Sequence, residues 1–201
     1  MVPYESRANG DIMEYEVLGF PSDEPTLTLN WRQFSYAGKF EMSNTGKAVL
    51  KEAGEIVAAA AFNADRDRST QGWIRYLTVR NDWQGKSLGP KLVGCVTETL
   101  LDREYNQITI AVNNPIAYRA LYKAGFHFTG EKTGIAELIL SYPGQRTLES
   151  YVDGLKRFED RQLPESQESL LADWLAETSV PEIVDDIPLD PSDQSVHDGA
   201  R

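Results

Sequence analysis

Two stretches of this sequence hold residue types at spacings that could do chemistry. The first runs from Thr78 to Pro90, Thr-Val-Arg-Asn-Asp-Trp-Gln-Gly-Lys-Ser-Leu-Gly-Pro. Before it, Ile74, Tyr76 and Thr78 alternate with Arg75, Leu77 and Val79 in a strand-like run. After it, Leu88, Leu92, Val96 and Leu100 recur at helical spacing. A strand, a short polar turn with two glycines and a helix entry make an anion-binding turn. The first backbone N–H groups of a helix lack internal partners, and the helix dipole puts partial positive charge on them. Gly85 and Gly89 allow a phosphate close to the backbone, and Pro90 suits a first turn, where a missing N–H costs nothing. Gly85-Lys86-Ser87 also matches the end of a nucleotide-triphosphate loop. That motif requires glycine at position 80, where Arg80 stands.

A different phosphate-binding pattern fits better. Arg/Gln-x-x-Gly-x-Gly/Ala cradles the pyrophosphate of coenzyme A, and Gln84, Ser87 and Gly89 occupy its fixed positions, with Ser87 in place of the middle glycine. The second stretch lies one helix and one strand later: Asn114-Pro115-Ile116-Ala117-Tyr118-Arg119-Ala120-Leu121-Tyr122-Lys123-Ala124-Gly125-Phe126. It resembles the Asn-x-x-Ala…Gly-Phe segment of the GNAT acyltransferase superfamily. Together, in this order and at this spacing, the two motifs mark a resemblance to that superfamily from roughly Glu14 to Tyr142.

The resemblance implies an α/β (α+β) fold with a central mixed, mostly antiparallel sheet flanked by helices, followed here by a carboxy-terminal helical extension. It implies acetyl-CoA, or another acyl-CoA, as acyl donor. The pantetheine arm would bond to exposed backbone at Leu77, Thr78 and Val79, and the Val79 N–H would polarise the thioester. Gln84, Gly85, Lys86, Ser87, Leu88, Gly89 and Pro90 would hold the pyrophosphate, with Lys91 adding charge. Asn114 and Ala117 would meet the cofactor arm, although Asn114 equally reads as a helix cap.

The proton-transfer residues depart from the family pattern. The tyrosine that protonates the leaving thiolate usually stands four residues before the glycine of Gly-Phe, which here is Leu121. Tyr118 and Tyr122 flank it at about 60° and about 100° around a helix. Either is a candidate acid, and either equally reads as a core-edge tyrosine. The frequent glutamate base of the central strand is replaced by arginine in Ile74-Arg75-Tyr76. Glu131 and Glu137 are commonplace strand glutamates, and His127 reads as a strand residue.

Composition sets the outer bounds. At 201 residues and 41% hydrophobic, the chain suits one ordinary domain with a tail. The single cysteine, Cys95, excludes an internal disulfide framework and fits a cytoplasmic setting. No cysteine–histidine cluster has metal spacing, so no metal is expected. The net charge of −11 argues against nucleic acid and anionic membranes as partners. It suits either a cationic acceptor or a solvated acidic surface, as in a salt-rich cytoplasm.

These residues must be positioned by the surrounding elements. Met1 to Asp11 reads as loose, and Ile12 to Phe20 as a strand. Thr26 to Thr45 is short and aromatic-rich where the family places one or two helices. Its rings form either an acceptor wall or a cap on the core. Lys47 to Lys51 and Glu55 to Asn63 read as a hairpin about Ala53-Gly54. Further expectations are a helix from Leu88 to Tyr105, a strand Gln107 to Val112, a helix from the Asn114 cap to Ala124, and strands Phe126 to Glu131 and Ile135 to Tyr142. Residues 1–145 thus read as the acyltransferase-like domain. Residues 146–179 read as the extension, with helices over Thr147 to Leu163 and after Pro164, offering a homodimer contact. Residues 180–201 read as an acidic tail, extended or disordered.

Three readings stand at this point. One is N-acyl transfer to a primary amine, on a small molecule or a protein. Another is a degenerate acyl-CoA sensor or scaffold. The third is a partner-binding module.

Overall fold

The computed structural model describes residues 13–184. The loose start expected for Met1 to Asp11 and most of the acidic tail lie outside them. Seven strands form one sheet: β1 (Met13–Gly19), β2 (Gly46–Glu52), β3 (Glu55–Ala64), β4 (Gln71–Val79), β5 (Gln107–Val112), β6 (His127–Lys132) and β7 (Leu138–Tyr142). Their order is β1-β2-β3-β4-β5-β7-β6. Among the described strands β4 and β5 make the parallel pair, and the other neighbours run antiparallel. The helices are α1 (Leu88–Leu101), α2 (Pro115–Lys123), α3 (Leu148–Lys156) and α4 (Glu165–Leu175). None is long and apolar enough to cross a membrane.

Alanine makes the centre of the sheet thin. Ala58 to Ala61 have high helix propensity, yet they form the fully buried heart of β3. Their small side chains let layers close on both faces. Ala58 and Ala60 belong to the core on one face, which α1 covers and which also holds Leu92, Val96 and Leu121. Ala59 and Ala61 meet Leu29, Phe34 and Phe40 on the other. The β2–β3 hairpin turns on Ala53 and Gly54, both at positive φ, which matches the twist of the paired strands.

The stretch 26–45 holds a short 3-10 turn, Ala37–Glu41, in place of the helices the family usually carries. Its aromatics divide: Phe34 and Phe40 are buried caps, while Trp31 and Tyr36 face solvent. A buried lysine ties the stretch down. The Lys47 ammonium donates to the carbonyls of Met42 at 2.8 Å, Thr45 at 2.7 Å and Pro25 at 3.2 Å, and to the Thr45 hydroxyl at 2.7 Å. Burial pushes its pKa down, and the oxygen cage opposes that shift by stabilising the charge.

Two helices end earlier than periodicity predicts. α1 stops at Leu101 rather than Tyr105, where Glu104 turns left-handed at φ +67°. α3 stops at Lys156 rather than Leu163 and gives way to tight turns, which carry Phe158 into the core. The extension packs on the domain: Tyr151, Leu155, Phe158 and Leu171 join the core cluster of α1 and α2. At that seam a Cβ on Gly154 would sit 2.0 Å from the Tyr118 hydroxyl. Gly154→Ala therefore overpacks a buried contact, and such insertions cost about 1–3 kcal/mol. Thermal melting of the variant should fall by several degrees, with the helical dichroism of the folded state kept.

Candidate active site

The site begins with a bulge. β3 and β4 pair Phe62 with Ile74 and Ala61 with Tyr76, so Arg75 is the extra residue. A bulge bends its strand and increases local twist. At the same point β4 leaves β5: their last paired residues are Ile74 and Ile110. From there the two strands part, leaving the far half of β4 unpaired on the β5 side.

Which backbone groups face that opening follows from register. The Arg80 N–H donates to the Val57 carbonyl at 2.8 Å, so Arg80 points at β3. Antiparallel ladders alternate, so Thr78 also points at β3, and Leu77 and Val79 point into the opening. The expectation for Leu77 and Val79 coincides with two exposed N–H and C=O pairs. Thr78 differs: its backbone belongs to the β3 ladder, and its buried hydroxyl has no protein partner.

The phosphate-type loop follows directly. After a 3-10 turn at Asn81–Trp83, Gly85 takes φ +79° and Ser87 takes φ +59° as the N-cap of α1. Ser87 thus adopts the left-handed conformation where the family pattern has glycine, a geometry that favours residues without a Cβ. Its side chain makes no cap bond, and the first turn of α1 holds no acidic residue. The leading N–H groups of α1 are therefore left for an anion. Gln84, Gly85 and Lys86 are exposed, whereas Leu88 and Pro90 are buried and anchor the turn. The Lys86 ammonium rests 3.9 Å from the Trp83 ring centre. A Cβ on Gly89 would lie 3.8 Å from both Leu77 Cδ2 and Val79 Cγ2, so the helix entry sits on the residues that edge the opening. Arg80 is bound to Asp82 at 2.8 Å and to Glu55 at 2.9 Å, and the guanidinium holds the Asp82 carboxyl below its usual range.

Across the opening, Asn114 caps α2. Its carbonyl oxygen accepts from the Ala117 N–H at 2.8 Å, and its amide donates to Asn113 at 3.2 Å. Asn114 and Ala117 thus satisfy each other and frame the opening from the β5 side. Sequence named both, and the structure gives them a capping role first.

The two candidate phenols are engaged by protein groups. Tyr118 and Tyr122 are fully buried beneath α3. The Tyr118 hydroxyl donates toward the Tyr151 carbonyl at 3.1 Å, and burial pushes its pKa far above the ordinary phenol range. The Tyr122 hydroxyl accepts from the Phe128 N–H at 3.1 Å. Tyr151, held on the Arg119 guanidinium at 2.7 Å, is pushed up to about 12 by burial. The resulting aromatic cluster, with Tyr118 and Tyr122 ring centres 5.1 Å apart, reads as packing. The apolar face of α3, legible in the sequence as amphipathic, covers these rings, and its docking there is what the sequence does not announce. His127 backs onto Gly144 at the opposite end of the sheet, and burial lowers its pKa. Glu137 lies on the β6–β7 turn, at the end of the sheet where β4 and β5 part. Among the described residues no group of three or more metal-type ligands gathers.

The model of the acetyltransferase (GNAT) family matches residues 11–126, more than half of the chain. The chain belongs to the GNAT acetyltransferase family. One solved structure supports the fold, and others are similar over part of it. A Bacillus subtilis acetyltransferase crystallised with coenzyme A is 14% identical, with 66% of this chain and 99% of that one covered and a TM-score of 0.52. An IAA acetyltransferase from Bacillus cereus is 19% identical, covering 64% and 97%, with a TM-score of 0.49. A paia N-acetyltransferase from Thermoplasma acidophilum, also with coenzyme A, is 13% identical, covering 47% of this chain and 58% of its own length, with a TM-score of 0.42. Among curated proteins none matches at a significant level.

Tyr118→Phe should lower stability by about 1 kcal/mol, the usual net value of one hydrogen bond, and leave turnover nearly unchanged. A turnover loss of about a hundredfold or more, the scale of general acid catalysis, would instead make Tyr118 the acid.

Proposed function

We propose that this GNAT protein transfers an acyl group, acetyl from acetyl-CoA, directly to a primary amine on a small molecule or a protein. The carrying observation is the coincidence of two donor sets: the Leu77 and Val79 N–H groups on the open edge of β4, and the uncapped start of α1 packed against the same residues. The fit to coenzyme A is supported by exposed Gly85, where a Cβ would meet nothing within 4 Å, and by the lack of acid in the first turn of α1.

Acyl-CoA supplies a thioester, whose carbonyl carbon an amine can attack. The protein's part is positioning and charge stabilisation. The loop Gln84 to Gly89 and the Lys91 ammonium hold the phosphates, and the β4 edge holds the arm as an added strand would. Holding two reactants in attack geometry supplies up to about 7–11 kcal/mol of the barrier. The Val79 N–H is the donor aimed at the developing oxyanion, and deleting one such donor elsewhere costs about 3–4 kcal/mol. The amine proton leaves, and the departing sulfur gains one.

A second reading has its own observation. Both candidate phenols are engaged under α3, which supports an acyl-CoA sensor or scaffold without turnover. Release of free thiol from acetyl-CoA in the presence of an amine panel separates the two: binding without release favours the sensor.

Gly89→Glu should weaken coenzyme A at least a hundredfold in calorimetry by placing a carboxylate against the phosphates. Gly89→Ala, which meets its neighbours only at ordinary contact distance, should bind within a few-fold of the parent. Equal affinity for Gly89→Glu and the parent would refute the loop assignment.

A further inference from the structure

The extension beyond the family match returns to the active-site end through one side chain. Arg161 lies one turn past α3. Its Nη1 donates to the Asn113 carbonyl at 2.9 Å, and its Nη2 donates to the Ala136 carbonyl at 2.6 Å. Its guanidinium rests 4.6 Å from the Phe158 ring centre, and Phe158 is fully buried. The fork therefore stands on a fixed core residue and joins two separate loops.

Both loops sit at the end of the sheet where β4 and β5 part. Asn113 follows the last residue of β5 and precedes the Asn114 cap of α2. Ala136 is in the β6–β7 turn, and pairing of Val112 with Leu138 brings that turn to the same end. Ala136 is left-handed at φ +65°. Thr133 and Glu137 bond each other across the turn, and Asn113 accepts from the Asn114 amide. The fork is thus continuous with the Asn114–Ala117 cap that frames the opening.

We propose that Arg161 is a positioning residue for the acyl-CoA cleft: it pins the β5–α2 junction to the β6–β7 turn and so fixes the wall opposite Leu77 and Val79. This rests on the acyl-CoA reading above. A planar guanidinium holds its N–H groups in a rigid fork that suits two carbonyls of different loops at once, a geometry that the compact, flexible ammonium of a lysine does not present. The carboxy-terminal extension thereby has a role in the site itself. The α1 loop is untouched by it, so the two halves of the cofactor are affected differently.

The test compares the full chain with Arg161→Met, which keeps the stem on Phe158, and with Arg161→Lys. Two probes are titrated by calorimetry: acetyl-CoA, and adenosine 3′,5′-bisphosphate, which lacks the pantetheine arm. Arg161→Met should weaken acetyl-CoA about tenfold and leave the bisphosphate unchanged, with Arg161→Lys between. Amide hydrogen exchange, read without ligand, should quicken about tenfold over 113–118 and 133–137 and stay constant over 84–100. Equal loss for both probes would mean general destabilisation and overturn the proposal. Unchanged acetyl-CoA affinity with unchanged exchange would do the same. If the parent binds neither probe, the acyltransferase reading falls and takes the cleft role of Arg161 with it, and exchange then judges only the pin: quickening confined to the two loops supports it, and no change overturns it.

Discussion

Beyond Ile74 and Ile110 the one parallel pair of the described sheet stops pairing, and two residues of a central strand are left with backbone groups that face no neighbour. Inside a sheet that is costly, since an unmade buried hydrogen bond is worth about 1–3 kcal/mol. It persists because both sides are held. On one side the Arg75 bulge turns β4 away while β3 keeps its register to Val79. On the other, β5 is locked to β7 as far as Val112. α1 then packs Gly89 onto the freed stretch, which brings the start of a helix and the edge of a strand into one place.

Electrostatics at that place run against the rest of the molecule. The chain carries −11 overall, yet the α1 entry has no acidic residue in its first turn, has Lys86 and Lys91 nearby, and has the neighbouring Asp82 already paired with Arg80. An acidic surface elsewhere repels polyanions broadly, while this turn presents uncapped N–H groups with no acid in the first turn. The same acidity suits a cationic amine approaching from outside.

Much of the fold was legible because its signals are local. The Ala53–Gly54 hairpin, the alternating β5 and the Asn114–Pro115 start of α2 follow from turn and cap chemistry. The turn from Gln84 to Ser87 and the helix start after it were legible from glycine and proline placement. What was not legible depends on contacts far apart in sequence. No residue type announces the Arg75 bulge. Insertion of β7 between β5 and β6 needs the whole sheet. The shortening of α3 was hidden because apolar positions continue through Phe158 and Leu163. Tyr118 and Tyr122 showed an amphipathic face, and only the docking of α3 reveals that the face is covered. Ser87 could be named as a departure from the pattern, but its left-handed backbone could not.

The most direct measurement is the amide spectrum of nitrogen-15-labelled protein during titration with acetyl-CoA. Saturable shifts are expected at Leu77 and Val79, which edge the opening, together with Ser87, Leu88 and Gly89. Small changes are expected at Tyr76 and Thr78, whose N–H groups are already in the β3 ladder. Saturable binding that leaves Leu77 and Val79 unmoved, or that moves Tyr76 and Thr78 equally, would contradict the role given to the β4 edge.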